Sequence, residues 1–225
     1  MPEKKYFALI VGGGSGSRMQ SDIPKQFMLL NGRPVLMHTI QAFHTSSSNP
    51  EIIVVLHSDF HQYWRDLCQQ YNFTIAHKLV AGGEHRFHSV RNGLKDIRSE
   101  AIVAVHDAVR PCIRPSLIDA AYTQAKVSGS AVAAIKSRDS VRQKSPTGST
   151  SLKRENIYLV QTPQVFGIEV LKKAYKQDFN EEFTDDASVV EKTGAEIRLI
   201  EGDVTNIKIT YPDDIGIAGM YLPRS

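Results

Sequence analysis

"YFALIVGGGSGSRMQSDIPKQ", residues 6–26, joins an uninterrupted apolar run to a loop in which four of the five residues 12–16 are glycine. An apolar run that does not alternate with polar residues reads as a strand covered on both faces. The glycines end it abruptly, and Arg18 and Lys25 follow within a few residues. A buried strand opening into such a loop is the first unit of an α/β sheet, and the rest of the chain repeats its rhythm. Apolar, β-branched runs over 7–11, 52–56, 101–105 and 131–135 read as strands. Between them, segments 35–43, 60–71, 88–97 and 116–127 carry apolar residues at helical spacing, such as Val35, Leu36, Thr39, Ile40 and Phe43. Strand–helix alternation predicts parallel strands with right-handed crossovers, hence an α/β three-layer sandwich.

The 225 residues are expected to form one domain, 1–225. Segment 136–156 breaks the alternation: it is polar, carries Ser-Pro-Thr-Gly-Ser at its centre and has little to bury, so it predicts a protruding hairpin or arm. Beyond it the pattern predicts strands at 157–160, 196–200 and 207–210, helices near 168–175 and 184–192 with Thr184 as N-cap, and a last helix after Pro212.

Composition excludes several classes. With 41% apolar and 23% charged residues, and no apolar run of membrane-spanning length, neither a disordered nor a membrane chain is expected. Met1-Pro-Glu-Lys-Lys leads into a strand rather than a signal peptide, which predicts a cytoplasmic address. Cys68 and Cys112 are too few for a disulfide framework and read as reduced packing residues. A net charge of +3 with scattered cations, and no aromatic-basic or helix-turn-helix pattern, argues against nucleic acid and leaves phosphorylated small molecules open.

Ligands of open α/β sheets sit at the carboxyl ends of the strands. Four segments matter there: the glycine loop, 81–86, 106–111 and 206–210. The glycine loop has neither the Walker A spacing nor a complete G-x-G-x-x-G, so P-loop ATPases and nicotinamide oxidoreductases are disfavoured. Its glycines still let backbone N–H groups approach an anion, with Arg18 and Lys25 adding charge; a plain strand-to-helix turn is the alternative. Asp107 suits a magnesium ion or a ribose hydroxyl, or else a helix cap. Arg86 and Arg110 could clamp phosphate or lock loops. His85 and His106 lack a nucleophile to activate and read as structural.

Together these segments resemble the 2-C-methyl-D-erythritol 4-phosphate cytidylyltransferases of the non-mevalonate isoprenoid pathway. The resemblance rests on Gly-Gly-Gly-Ser-Gly-Ser-Arg-Met, Pro24-Lys25-Gln26, Gly82-Gly83 with Arg86 and Ser89, residues 106–111 (His-Asp-Ala-Val-Arg-Pro), 161–164 (Gln-Thr-Pro-Gln), 184–188 (Thr-Asp-Asp-Ala-Ser) and Asn206-Ile207-Lys208, in that order. It implies a mostly parallel, Rossmann-like nucleotidyltransferase sheet with a β-arm, and transfer of CMP from CTP to the polyol phosphate with release of pyrophosphate and with Mg2+. It further implies that Gly12, Gly13, Gly14, Ser15 and Gly16 cradle the triphosphate while Arg18, Lys25 and Lys208 act on the α-phosphate. Gly83 and Ser89 would read cytosine. Asp107 and Ala108 would hold ribose, with Asp107 also beside the metal. Arg110, Thr162, Ser140 and Arg154 would bind the alcohol phosphate, the last two from the interlocked arm of a homodimer.

Two positions depart from the pattern. Val11-Gly12-Gly13-Gly14 stands where Pro-Ala-Ala-Gly is usual, and Ser140 where threonine is common. A cytidylyltransferase for another polyol phosphate, such as ribitol 5-phosphate, is the nearest alternative. A non-catalytic nucleotide-binding module is the alternative from another class.

Overall fold

A computed structural model describes residues 5–12, 23–97 and 100–222. The chain runs through β1 (Lys5–Val11), a short hairpin of β2 (Leu29–Leu30) and β3 (Arg33–Pro34), α1 (Val35–His44), β4 (Glu51–Leu56), α2 (His61–Gln70), β5 (Lys78–Ala81), α3 (Arg86–Leu94), β6 (Ala101–Asp107), α4 (Pro115–Ser128) and β7 (Ser130–Lys136). It continues with β8 (Val141–Ser145), β9 (Gly148–Leu152), β10 (Tyr158–Gly167), α5 (Ile168–Ala174), α6 (Asp186–Glu191), β11 (Leu199–Glu201) and α7 (Asp213–Tyr221). No helix among the described residues is long and apolar enough to cross a membrane.

Seven strands form the central sheet in the order β11-β7-β10-β6-β1-β4-β5. All neighbours pair parallel except β10, which runs antiparallel to both β6 and β7. The connection explains the exception. From β7 the chain makes no crossover helix but goes out through the β8–β9 hairpin and returns beside the strand it left, which forces antiparallel pairing.

Side-chain alternation divides the interior into two layers. Ala8 and Ile10 of β1 face a cluster with α1, α2 and α4, whereas Leu9 and Val11 face α3, α5 and α6. Local chemistry sets the turns. Asn31 and Gly32, with φ of 47° and 80°, form the two-residue turn that closes β2 on β3. Pro115 opens α4 and Gly129, at φ 83°, ends it.

Several expected boundaries move. The strand foreseen at 157–160 continues to Gly167, so Gln161-Thr162-Pro163-Gln164 lies inside β10, at a register shift between Val160 and Gln164 where Pro163 has no ladder donor. The helix expected over 88–97 is Arg86–Leu94, and the strand at 196–200 is Leu199–Glu201. Segment 207–210 is not a strand: its alternating apolar residues are satisfied instead by packing, Ile209 being buried beside Leu30, Val35 and Val109 and bonded through its N–H to the Val109 carbonyl at 2.9 Å. Thr184 is not the cap of α6. Asp185 is, with Ser188 completing a reciprocal capping box.

Trp64, the only tryptophan, reports on one corner of the core. Its Nε1–H donates to His77 Nε2 at 2.9 Å, so the neutral ring donates from Nδ1 to the Ile75 carbonyl at 2.8 Å. Burial lowers the His77 pKa from its ordinary value. A folded-state pKa below the unfolded one means that the neutral ring stabilises the fold above about pH 6.5, and that this contribution is lost as pH falls through the folded value. Trp64 fluorescence of the native protein is therefore expected to titrate with a midpoint below about pH 6.5 and to lose that step in His77→Gln. A midpoint at or above the free-histidine value would contradict this hydrogen-bond assignment.

Candidate active site

The carboxyl ends of β1 and β6 lie side by side, Val11 pairing with Asp107. Gly12 continues this edge: its N–H donates to the Val55 carbonyl at 2.9 Å, and Ala108 N–H donates to the Val11 carbonyl at 2.9 Å. A Cβ on Gly12 would come within 2.9 Å of Leu56 Cδ2 and 3.1 Å of Ala108 Cβ, so a side chain there would require Leu56 to turn and Ala108 to give way. The Gln26 amide holds the Gly12 carbonyl at 2.9 Å and thereby ties the turn Lys25–Phe27 to the root of the glycine loop. Lys25, half-buried, begins that turn. Gly13, Gly14, Ser15, Gly16 and Arg18 lie outside the described residues.

Asp107 is 6% exposed and surrounded by three cations. Arg86 Nε lies 3.4 Å from Oδ1, while Arg110 Nε and Lys208 Nζ lie 3.3 and 3.1 Å from Oδ2. Burial alone would raise the pKa of the carboxyl, but Arg86, Lys208 and Arg110 reverse this and hold it well below the usual carboxylate range. Two of the cations have a second anchor. Arg110 Nη1 donates to the Asn206 carbonyl at 2.8 Å, and Arg86 Nη2 donates to Asp186 Oδ2 at 2.7 Å. Lys208 is the most exposed of the three and has Asp107 as its only acidic partner among the described residues.

Neighbouring residues fix the Asp107 backbone. Asp107 N–H donates to Thr162 Oγ1 at 3.1 Å, and that hydroxyl donates to His106 Nδ1 at 3.0 Å. His106 Nε2–H then donates to the Arg110 carbonyl at 3.3 Å, which makes the ring the neutral Nε2–H tautomer. Burial pushes its pKa down to about 3. This histidine is a spacer between strand ends, with both nitrogens engaged.

A cavity of about 240 Å³ opens beside Asp107, its cationic wall made by Arg86, Arg110 and Lys208. Thr162 also lines it, so the structure brings together five of the residues singled out in the sequence: Arg86, Asp107, Arg110, Thr162 and Lys208. Ala108 lies at its edge of the sheet, fully buried, with its carbonyl held by Thr39 Oγ1 at 2.9 Å. Gly83 and Ser89 sit in the loop after β5 and the first turns of α3. Gly83 N–H donates to Ser89 Oγ at 3.0 Å, and a Cβ on Gly83 would run into His88. Ser140 and Arg154 do not line this cavity; both are exposed around the β8–β9 hairpin, with Arg154 Nη1 on the Arg138 carbonyl at 3.3 Å.

Gln161, Gln164 and Asp185 also face the cavity and had no role assigned from sequence. Gln164 ties its two sides, donating to Asp185 Oδ2 and accepting from Ala187 N–H, both at 2.8 Å. The Gln-Thr-Pro-Gln and Thr-Asp-Asp-Ala-Ser runs were visible as motifs. Their mutual contact, across about twenty residues and two elements, was not.

The sequence model of the 2-C-methyl-D-erythritol 4-phosphate cytidylyltransferase family matches residues 6–224. A relative of that name from Phocaeicola vulgatus is 46% identical over 210 residues, 93% of this chain and 96% of the relative. One from Bacteroides fragilis is 45% identical over 215 residues, 96% of this chain and 98% of the relative. Among solved structures, the 4-diphosphocytidyl-2C-methyl-D-erythritol synthase of Anaerococcus prevotii is 27% identical with a TM-score of 0.84, covering 97% of this chain and 96% of that one. The 2-C-methyl-D-erythritol 4-phosphate cytidylyltransferase of Francisella tularensis is 32% identical with a TM-score of 0.79, covering 97% and 100%.

The Thr162 hydroxyl serves two buried partners at once, so Thr162→Val leaves both unsatisfied and is expected to cost about 2–4 kcal/mol in denaturant unfolding. Thr162→Ser, which keeps the hydroxyl, is expected to cost less than half of that. Equal losses in the two variants would show that the methyl, not the hydrogen bonds, matters.

Proposed function

The chain belongs to the 2-C-methyl-D-erythritol 4-phosphate cytidylyltransferase family, and on that premise we propose how its residues carry out cytidylyl transfer from CTP to 2-C-methyl-D-erythritol 4-phosphate in isoprenoid biosynthesis. The observation that carries the proposal is the Asp107 carboxylate set among Arg86, Arg110 and Lys208 at the strand ends, beside the root of the glycine loop.

A phosphate oxygen of the alcohol substrate attacks the α-phosphorus of CTP. A new P–O bond forms in line as the bond to the β-phosphate oxygen breaks, and pyrophosphate departs with that electron pair. A phosphate monoester is already an anionic nucleophile, so the site needs placement and fixed positive charge rather than a base. Arg86 is balanced by Asp186, whereas Arg110 and Lys208 share the single charge of Asp107. With Asp185 also lining the cavity the charges balance as a whole, but the two cations on Asp107 are concentrated on one side, and that side is offered to the phosphates.

In this assignment the Gly12–Gly16 backbone cradles the triphosphate, and Arg18 and Lys25 steady the α-phosphate and the leaving pyrophosphate. Gly83 and Ser89 frame the cytosine, and Asp107 and Ala108 hold the ribose. Lys208 reaches the same α-phosphate from the adjoining cavity, where Arg110 receives the methylerythritol phosphate and Thr162 shapes the wall. Mg2+ fits this donor set. Among the described residues no three His, Cys, Asp or Glu side chains gather around a common point, but magnesium commonly takes one carboxylate together with phosphate oxygens and water. Asp107, held ionised, would supply that carboxylate, and the ion would neutralise phosphate charge.

The arm, 136–156, is assigned to homodimer assembly. Tyr158, Leu159 and Val160 at its base are consecutive and 40–51% exposed, an apolar strip that a second copy would cover. Ser140 and Arg154 would then act in the partner's cavity. A cytoplasmic setting accords with two cysteines that are unpaired, each with a thiol pKa raised by burial.

Subunit complementation tests the shared site. Lys25→Ala and Arg154→Ala are each expected to be nearly inactive as homodimers. Unfolding and refolding an equal mixture is expected to restore about a quarter of parental activity, because each mixed dimer rebuilds one complete site. No recovery, with mixed dimers demonstrated, would place Arg154 in its own subunit's site, and a fully active Arg154→Ala homodimer would place it outside any.

A further inference from the structure

Asp186 is fully buried, yet it lies inside the protein wall behind the cavity and cannot itself reach a substrate. It accepts Arg86 Nη2 on Oδ2 at 2.7 Å and the Tyr175 hydroxyl on Oδ1 at 2.6 Å. Arg86 in turn reaches Asp107 Oδ1 through Nε, at 3.4 Å. The four side chains come from α6, the end of α5, α3 and the end of β6, so the connection crosses one flank of the sheet.

An ion pair is an expensive way to fill a core. Removing both charges from water costs more than their attraction returns unless the geometry is good, and apolar replacements of similar volume are often as stable. Asp186 and Arg86 lie in a layer otherwise built from apolar contacts, including Phe87, Tyr175, Ala187 and Val190. The pair does something that apolar packing cannot. It fixes the guanidinium with Nη2 turned inward and Nε turned to Asp107, while leaving Arg86 without charge to lend to the cavity. Asp107 Oδ1 is thereby held from one side and Oδ2 from the other by Arg110 and Lys208.

We propose that Tyr175 and Asp186 are positioning residues for the cytidylyl transfer: through Arg86 they set the orientation of the Asp107 carboxylate and keep Arg86 from acting as a substrate-binding cation. The proposal rests on the assignment of Asp107 to the reaction made above. It predicts an effect on turnover rather than on affinity, because the chain orients a group already in place and contacts neither substrate.

The test replaces the pair without leaving a buried charge. Arg86→Met/Asp186→Leu is expected to fold with a thermal midpoint only a few degrees below the parent's, since no charge is left unpaired and the Tyr175 hydroxyl alone loses its acceptor. In pyrophosphate-release assays its kcat is expected to fall at least about tenfold, with KM for CTP and for methylerythritol phosphate each within about threefold of the parent. Tyr175→Phe, which removes one hydroxyl and should fold regardless, is expected to lower kcat about threefold at unchanged KM. Parental kcat in a folded double variant, or in Tyr175→Phe if the double variant does not fold, would reduce the chain to structural support and overturn the proposal. So would parental kcat with raised KM in the double variant, which would make Arg86 a direct ligand. Asp107→Asn measured alongside separates the two levels: parental kcat there would sink the assignment of Asp107 itself, whereas loss there with parental kcat in the other variants would sink only the positioning role.

Discussion

A carboxylate placed at the carboxyl end of the central strand with 6% of its surface exposed must be compensated, and the way Asp107 is compensated organises this molecule. Each of its three cations arrives from a different part of the chain: Arg86 from α3, Arg110 from the turn after β6, Lys208 from the segment near the C-terminus. Parallel pairing of β1 with β6 sets Asp107 against the root of the glycine loop, and Thr162 from antiparallel β10 fastens its N–H. Segment 206–209, though not a strand, is fixed by the burial of Asn206 and Ile209, which delivers Lys208 to the same point.

This arrangement also explains why a single antiparallel strand interrupts the sheet. Residues 161–164 must face both Asp107 and the Asp185–Ala187 turn, and a strand between β6 and β7 with a register shift in its middle does so. The same excursion that reverses β10 sends the β8–β9 hairpin out of the domain. Sheet topology, cavity wall and arm are thus consequences of one chain path.

Much of this was legible beforehand. The apolar runs located β1, β4, β6 and β7, and the polar composition of 136–156 marked the arm, because burial and its absence are written directly into residue type. Asp107, Arg110 and Lys208 stood out through charge beside strand ends. Other features depend on distant partners. The alternation of Ile207 and Ile209 looked like a strand, yet an apolar cluster rather than a neighbouring strand took up those side chains. Thr184 looked like a cap, but Asp185 has the Ser188 partner that closes the box. Arg86 and Asp186 are 100 residues apart, and no local pattern shows that the carboxylate of one is the counterion of the other.

The central claim is that Arg110 and Lys208, the two cations that share Asp107 Oδ2, serve phosphates, and Lys208 tests it most directly because its ammonium is partly exposed and can be removed at little structural cost. Pyrophosphate release from CTP and 2-C-methyl-D-erythritol 4-phosphate by Lys208→Met is the measurement. The account predicts a loss in kcat of about a hundredfold or more, with stability changed by less than about 1 kcal/mol. Turnover within a few-fold of the parent, in a protein of unchanged stability, would contradict it.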